Sequence, residues 1–230
     1  MKTFTKIAKI YFSPSSTTRK IVDEIANKFE GTQEEYDLLN AASGNTPKEF
    51  DDNTLVIVGM PIFAGRLPKT ASKKLMNFKG ENIPAIAIVN YGNVNIGDAL
   101  LELNDILKEN GFNIAGTGAT VSQHSIVTDV ATGRPDSKDL EKLNEFVEKC
   151  KEKLDSEEFE DIEVPGNKPY CEYKKVPLAP ICDESLCVYC YECVSSCPED
   201  ARYFTGDLFE GMKEKFLANF SKRKESEFYL

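Results

Sequence analysis

Ile7-Ala-Lys-Ile-Tyr-Phe12, then Ser13-Pro-Ser-Ser-Thr-Thr18, then the amphipathic stretch Arg19 to Phe29 read as strand, hydroxyl-rich loop and helix. Small hydroxyl residues that open a helix present free backbone N–H groups, Ser/Thr donors and the positive end of the helix dipole. Such a loop suits a phosphate. It lacks the G-K-[S/T] of a Walker loop and does not match G-x-G-x-x-G. The plainer alternative is an ordinary Ser/Thr N-cap.

The alternation continues outward from this unit. Glu34 to Leu39 reads as a weak strand, and Leu55 to Met60, Ala85 to Asn90 and Phe112 to Val121 as apolar ones. Helical patterns fall at Pro68–Phe78, Asn95–Asn110 and Ser137–Leu154. Continuous apolar strands separated by helices predict an α/β fold, a doubly wound parallel five-stranded sheet covered on both faces. Ligands in such sheets bind at the carboxyl ends of the strands, where strand order reverses.

Four stretches lie at those ends. They are Ser13 to Thr18, then Gly59 to Pro68, then Asn90 to Asn93, then Ser122-Gln-His-Ser125. The first suits a phosphate, while Phe63 and Tyr91 place an aromatic ring in each of the next two. A flat aromatic ligand between Phe63 and Tyr91, with its phosphate in the first loop, is the economical reading. His124, the single histidine, either tunes such a ligand or hydrogen-bonds its own loop.

Residues 5–154 resemble a flavodoxin domain. The loop Ser13-x-Ser15-Ser16-Thr17-Thr18 is similar to that family's hydroxyl–x–Thr–Gly–x–Thr pattern, with Ser16 at the usual Gly. Phe63 stands where Tyr is common, and Tyr91-Gly92-Asn93 resembles the loop that flanks the flavin. The resemblance implies FMN held by Ser13, Ser15, Ser16, Thr17, Thr18, Pro61, Ile62, Phe63, Ala64, Gly65, Asn90, Tyr91, Gly92, Asn93 and His124.

Cys187-Val-Tyr-Cys190-Tyr-Glu-Cys193-Val-Ser-Ser-Cys197-Pro198 is a C-x2-C-x2-C-x3-C-P run, the bacterial ferredoxin pattern whose thiolates hold iron–sulfur cubanes. The alternatives are a zinc site, which usually separates its Cys or His pairs, or a disulfide knot. The first ten residues contain no apolar core of a signal peptide, and no run reaches transmembrane length. A cytoplasmic chain is therefore expected, in which seven cysteines indicate metal more than disulfides. The net charge is −10, with no basic block, so a nucleic-acid partner is not expected.

Ser156 to Asp161 is acidic, and Pro165, Pro169, Pro177 and Pro180 follow in a short span. This reads as an extended connector. The expected domains are 1–160 for the flavin, 161–181 as linker, and 182–230 as a small ferredoxin-like module. Apolar residues at 208, 209, 212, 216, 217 and 220 add a terminal helix, expected to dock on that module.

The whole chain resembles the flavodoxin–ferredoxin fusion proteins of anaerobes, which carry two cubane motifs. Here there is no room for the first, between Pro180 and Cys187. Two all-cysteine cubanes need eight thiolates, so the expectation is one [4Fe–4S] cluster on Cys187, Cys190, Cys193 and Cys197, with Cys182 and Cys171 as rival fourth ligands. Cys182-x4-Cys187-x2-Cys190 also fits the plant-type two-iron spacing, although no later cysteine completes it.

An electron carrier serving redox partner proteins is the leading expectation. A flavin-dependent reductase fed by the cluster, and a degenerate interaction module, are the alternatives. A homo-oligomer is a further expectation.

Overall fold

The computed structural model describes residues 2–40, 43–174 and 204–230. Five strands form the parallel body of the main sheet: β1 (Lys6–Tyr11), β2 (Thr32–Asp37), β4 (Thr54–Pro61), β6 (Ile83–Tyr91) and β7 (Phe112–Val121). Their order is β2-β1-β4-β6-β7, with neighbours such as Ile10↔Val58 and Val58↔Ala87 in register. The order reverses at β1, so the crevice between the carboxyl ends of β1 and β4 is the switch point.

Two features go beyond the expectation. The two-residue strands β3 (Lys48–Glu49) and β5 (Phe78–Lys79) pair with each other in a small second sheet. Strand β8 (Glu227–Tyr229) adds to the main sheet as a sixth strand, antiparallel to β7.

Helices cover both faces because alternate strand residues point to opposite sides. One apolar cluster joins Val56, Val58, Ala87, Val89 and Tyr91 to Leu75 of α2 (Lys69–Leu75) and to Leu100, Leu103 and Leu107 of α3 (Ala99–Glu109). The other joins Ile7, Ile57, Ile86 and Ile88 to Ile21, Val22 and Ile25 of α1 (Thr17–Ala26) and to Leu143, Phe146 and Val147 of α4 (Ser137–Ser156).

Each of these four helices buries positions at i, i+3, i+4 spacing. Helix α4 starts at a capping box, in which the Asp136 side chain accepts from the Lys138 and Asp139 amides and Asp139 accepts from the Asp136 amide. Cys150 is fully buried on α4, and burial pushes its thiol far above the usual range.

Helix α5 (Asp207–Phe220) buries no residue completely. It lies over the loops at the carboxyl ends of β6 and β7, its Phe216 ring meeting His124 edge-on at 5.0 Å. Lys213 pairs with Asp129 at 2.9 Å. Other described contacts of α5 are local, such as Phe204 stacked on Phe209 at 5.7 Å, and the cysteine run on which it was expected to dock lies outside the described residues. Among the described residues, no helix is long and apolar enough to cross a membrane.

Candidate functional site

At the switch point the chain leaves β1 through a tight turn, in which the Ser16 amide donates to the Ser13 carbonyl at 3.1 Å. Ser16 has φ 60° and ψ −1°, a left-handed conformation that side-chain-bearing residues adopt at a cost. That geometry is what a glycine at this position would provide. Ser16 makes no side-chain cap; the Ser13 hydroxyl caps α1 instead, accepting from the Arg19 amide at 2.9 Å.

The Thr17 and Thr18 amides lie in the first turn of α1 and have no intrahelical acceptor. Ser15 and Thr17 share a hydroxyl contact of 3.1 Å, and the first turn holds no carboxylate. Amide donors, hydroxyls and the helix dipole therefore meet at one place, and this donor set fits a phosphate.

Asn90 organises the region behind that turn. It is buried at the end of β6. Its amide nitrogen donates to the Thr17 and Thr18 hydroxyls at 3.3 and 3.4 Å. Its carbonyl oxygen accepts from Thr120 at 3.0 Å and Ser122 at 2.8 Å. Thr120 was missed in the sequence, where its only signal is a polar residue inside an apolar strand.

The next loop follows Pro61, where the Ile62 amide donates to the Asn90 carbonyl at 2.9 Å. Phe63 and Arg66 exchange backbone hydrogen bonds of 2.8 and 3.1 Å across Ala64 (φ 51°) and Gly65 (φ 85°). Two positive φ values in a row mark a type I′ turn. Phe63 is half-buried with its edge toward Phe12, the centroids 6.4 Å apart, and it remains the aromatic available to a flat ligand.

Tyr91 is placed differently from the expectation. It is only 5% exposed and shares the α3 face of β6 with Val89, because residues two apart on a strand point the same way. Burial pushes its phenol up to about 12. A ligand sandwiched between Phe63 and the Tyr91 ring is therefore not what this arrangement offers. Tyr91 instead helps line an open cavity of about 650 Å³ between Ile96, Pro165 and Glu227.

Gly92 packs directly against His124. The His124 Nδ1 accepts from the Ile126 and Val127 amides at 3.1 and 3.0 Å, so the ring is neutral. Burial holds its pKa down to about 4. This is the loop-bonding role.

Asn93 (φ 62°) is 1% exposed. Its Nδ2 donates to the carbonyls of Phe220 at 2.7 Å and Lys222 at 2.9 Å, and its Oδ1 accepts from the Lys224 amide at 2.9 Å. Sequence pattern placed Asn93 on a ligand; the structure places its side chain on the C-terminal tail.

The same tail is held from the other side by Arg134, which donates to the Lys224 carbonyl at 2.6 Å and forms a buried pair with Asp139. Arg223 lies across Asp136 at 2.6 Å and holds its carboxyl well below the usual range.

A second fastening lies at the 63–66 turn. Arg66 makes two hydrogen bonds to Glu102, at 2.8 and 3.0 Å. Its guanidinium lies 4.7 and 4.3 Å from the ring centroids of Tyr170 and Tyr173 and donates to the Cys171 carbonyl at 2.5 Å. Glu102 also accepts from the Leu67 amide and the Tyr173 hydroxyl, both at 3.0 Å. Asp98 accepts from the Asn167 amide at 2.8 Å and the Cys171 amide at 2.6 Å, which keep its carboxyl below the usual range.

Gly97 (φ 58°) touches Gly65 so closely that a Cβ would stand 2.5 Å from the Gly65 Cα. The Asp98 amide donates to the Gly65 carbonyl at 2.8 Å. The two loops are thereby joined. Residues 162–173 are packed onto the α/β body by these contacts, with Ile162 in its core.

Cys182, Cys187, Cys190, Cys193 and Cys197 lie outside the described residues. Cys171, the rival ligand that is described, is exposed, with its sulfur 4.0 Å from the Gly65 carbonyl.

Comparison with known proteins adds the following. The family described as a 4Fe-4S binding domain matches residues 183–203. No curated protein matches the chain. Among solved structures, oxidised Flavodoxin 1 from Bacillus cereus is 18% identical over 64% of this chain and 97% of its own, with TM-score 0.48. A flavodoxin from the domain Archaea is 13% identical over 65% and 99%, with TM-score 0.43. Fusobacterium nucleatum flavodoxin bound to flavin mononucleotide is 15% identical over 64% and 97%, with TM-score 0.43. The chain joins a doubly wound sheet of strand order β2-β1-β4-β6-β7 to a stretch similar to 4Fe-4S binding domains.

Proposed function

We propose that this chain is an electron-transfer flavoprotein that relays electrons between FMN and a single [4Fe–4S] cluster, and onward to redox partner proteins. One observation carries the reading: the same chain has a phosphate-suited donor turn at a sheet switch point and a four-cysteine cubane run matched to 4Fe-4S binding domains. Ser13, Ser15, Ser16, Thr17 and Thr18 would hold the phosphate, and Phe63 would lie against the ring. The backbone of residues 61–65 and 90–93 would meet the ring edge. Cys187, Cys190 and Cys193 would hold the cluster, with Cys197 as fourth ligand.

A bound flavin exchanges electrons singly or in pairs and a cubane one at a time, so holding both suits a chain that pools or divides electron pairs. The chain's own contribution is position. Asn90 fixes the phosphate turn against the ends of β6 and β7, and the Gly65–Gly97 contact fixes the 61–65 loop against the start of α3.

Anaerobic purification followed by a visible spectrum and by iron, sulfide and flavin analysis tests this. The expected result is about four irons and one FMN per chain. Zinc in the cysteine run, or neither cofactor, would overturn it.

A further inference from the structure

Residues 175–203, which carry the cysteine run, are bracketed by two fastenings. Before them, Tyr170, Cys171 and Tyr173 are tied to Arg66, Asp98 and Glu102. After them, the Phe220–Lys224 stretch is tied to Asn93. Asn93 belongs to one of the two loops that the proposed function assigns to the flavin ring, and Arg66 directly follows the other.

Asn93 is the more informative of the two. A primary amide offers two donor hydrogens and one acceptor oxygen. Here both donors reach tail carbonyls and the oxygen takes the Lys224 amide, so no donor is left over for a ligand. The residue is nevertheless buried within the loop.

We infer that Asn93 is a positioning residue: by clamping the 91–94 loop to residues 220–224, it makes the flavin affinity of that loop depend on the C-terminal tail. This rests on the flavin reading of the loop. The Lys224 ammonium, which donates to the Val94 carbonyl, closes the same clamp from the tail, and Arg134 holds the Lys224 carbonyl from behind. The clamp thereby connects the chain that leaves the cysteine segment with the loop proposed to flank the flavin.

Two full-length variants test this. Asn93→Gly deletes the amide while keeping a residue suited to φ 62°. Lys224→Pro removes the tail N–H that Asn93 accepts, and Lys224 lies outside all three proposed flavin loops. Hydrogen exchange is read on the cofactor-free protein, with β4 and β6 amides as the internal check of folding, and FMN affinity by quenching of FMN fluorescence.

Both variants are expected to speed exchange at residues 221–225 and to weaken FMN binding by about tenfold each, the worth of roughly one hydrogen bond. Unchanged exchange in both would overturn the clamp. Faster exchange with FMN affinity within about twofold of the parent would overturn the positioning role and leave a purely structural contact. A parent chain that takes up no FMN overturns the flavin reading itself, and the exchange result then decides the clamp alone. If Asn93→Gly fails the folding check, Lys224→Pro decides the outcome.

Discussion

The two chain stretches that bracket the cysteine segment are held by different physics. The entering strap, residues 162–173, makes no strand pairing; beyond the apolar anchor of Ile162 and Val164, it depends on charge. Its centre is one buried pair, Arg66 with Glu102, flanked by two tyrosine rings. The leaving tail, residues 220–229, is held piecemeal by Asn93, Arg134, Ser226, a three-residue strand and the Phe146–Phe228 stack at 4.5 Å. A hold centred on one charge pair fails as a unit, because removing either partner leaves an uncompensated ion in low dielectric. A distributed hold weakens in steps.

Glu102→Ala is the severest way to break this contrast. It strands the Arg66 guanidinium and removes acceptors from Leu67 and Tyr173. Urea unfolding should show a loss of roughly 3–5 kcal/mol. A loss below about 1 kcal/mol would mean that the tyrosine rings hold the strap without the carboxylate, and the contrast would disappear.

Acid should act on the tail side through His124, which packs against Phe216 of α5. Its folded pKa, about 4, lies below the value near 6.5 of an unfolded chain. The unfolded state therefore takes up the proton first. Stability from the neutral ring is complete above about pH 6.5 and is lost as pH falls toward 4, by roughly 2–3 kcal/mol. Carboxylates titrate low in the same window, so the His124 share is read as the difference from His124→Gln, whose stability should fall less steeply between pH 7 and 4.5. Parallel curves for the two proteins would remove His124 from the account.

Gly118→Ala tests the last strand. The added Cβ would stand 2.5 Å from Phe228 Cδ1 and 2.8 Å from the Glu227 carbonyl. A cost of about 1–3 kcal/mol is expected, with faster hydrogen exchange confined to residues 226–229 if the tail does give way in steps. Exchange rising throughout residues 207–229 would show it to be one cooperative unit, like the strap.

The smallest effect belongs to Ser16→Gly. It relieves a left-handed serine at the phosphate turn but frees the unfolded chain, so thermal unfolding should show a net gain of about 0.5 kcal/mol. A loss of that size would mean that the Ser16 side chain itself stabilises the turn.

How much of this was legible in the sequence follows from the range of the forces involved. The strands β1, β4, β6 and β7 and the helices α1 to α4 show because burial writes apolar runs and i, i+3, i+4 spacing into local sequence, whereas the polar, exposed edge strand β2 shows only weakly. The turn at 13–18 shows because hydroxyls before a helix are a local signal. Strand β8 does not, since three residues carry no period. The strap reads as a proline-rich connector because its partners, Arg66, Asp98 and Glu102, lie far away in the chain and leave no trace beside it. Tyr91 and Asn93 look alike as loop residues, yet one ring turns into the core and one amide turns to the tail. Strand parity and a partner more than a hundred residues distant decide those directions.

The antiparallel pairing of Thr117–Ala119 with Glu227–Tyr229 also has a consequence for biosynthesis. When β7 emerges from the ribosome, its outer edge has hydrogen-bonding groups on a glycine-containing strand and no β8 yet to meet them. They wait until α4, the strap and the entire cysteine segment have been translated. During that interval the edge is open to another chain's strand. Chains arrested before residue 227 should therefore aggregate where full-length ones do not, so that closing the sheet registers that the cysteine segment has been made.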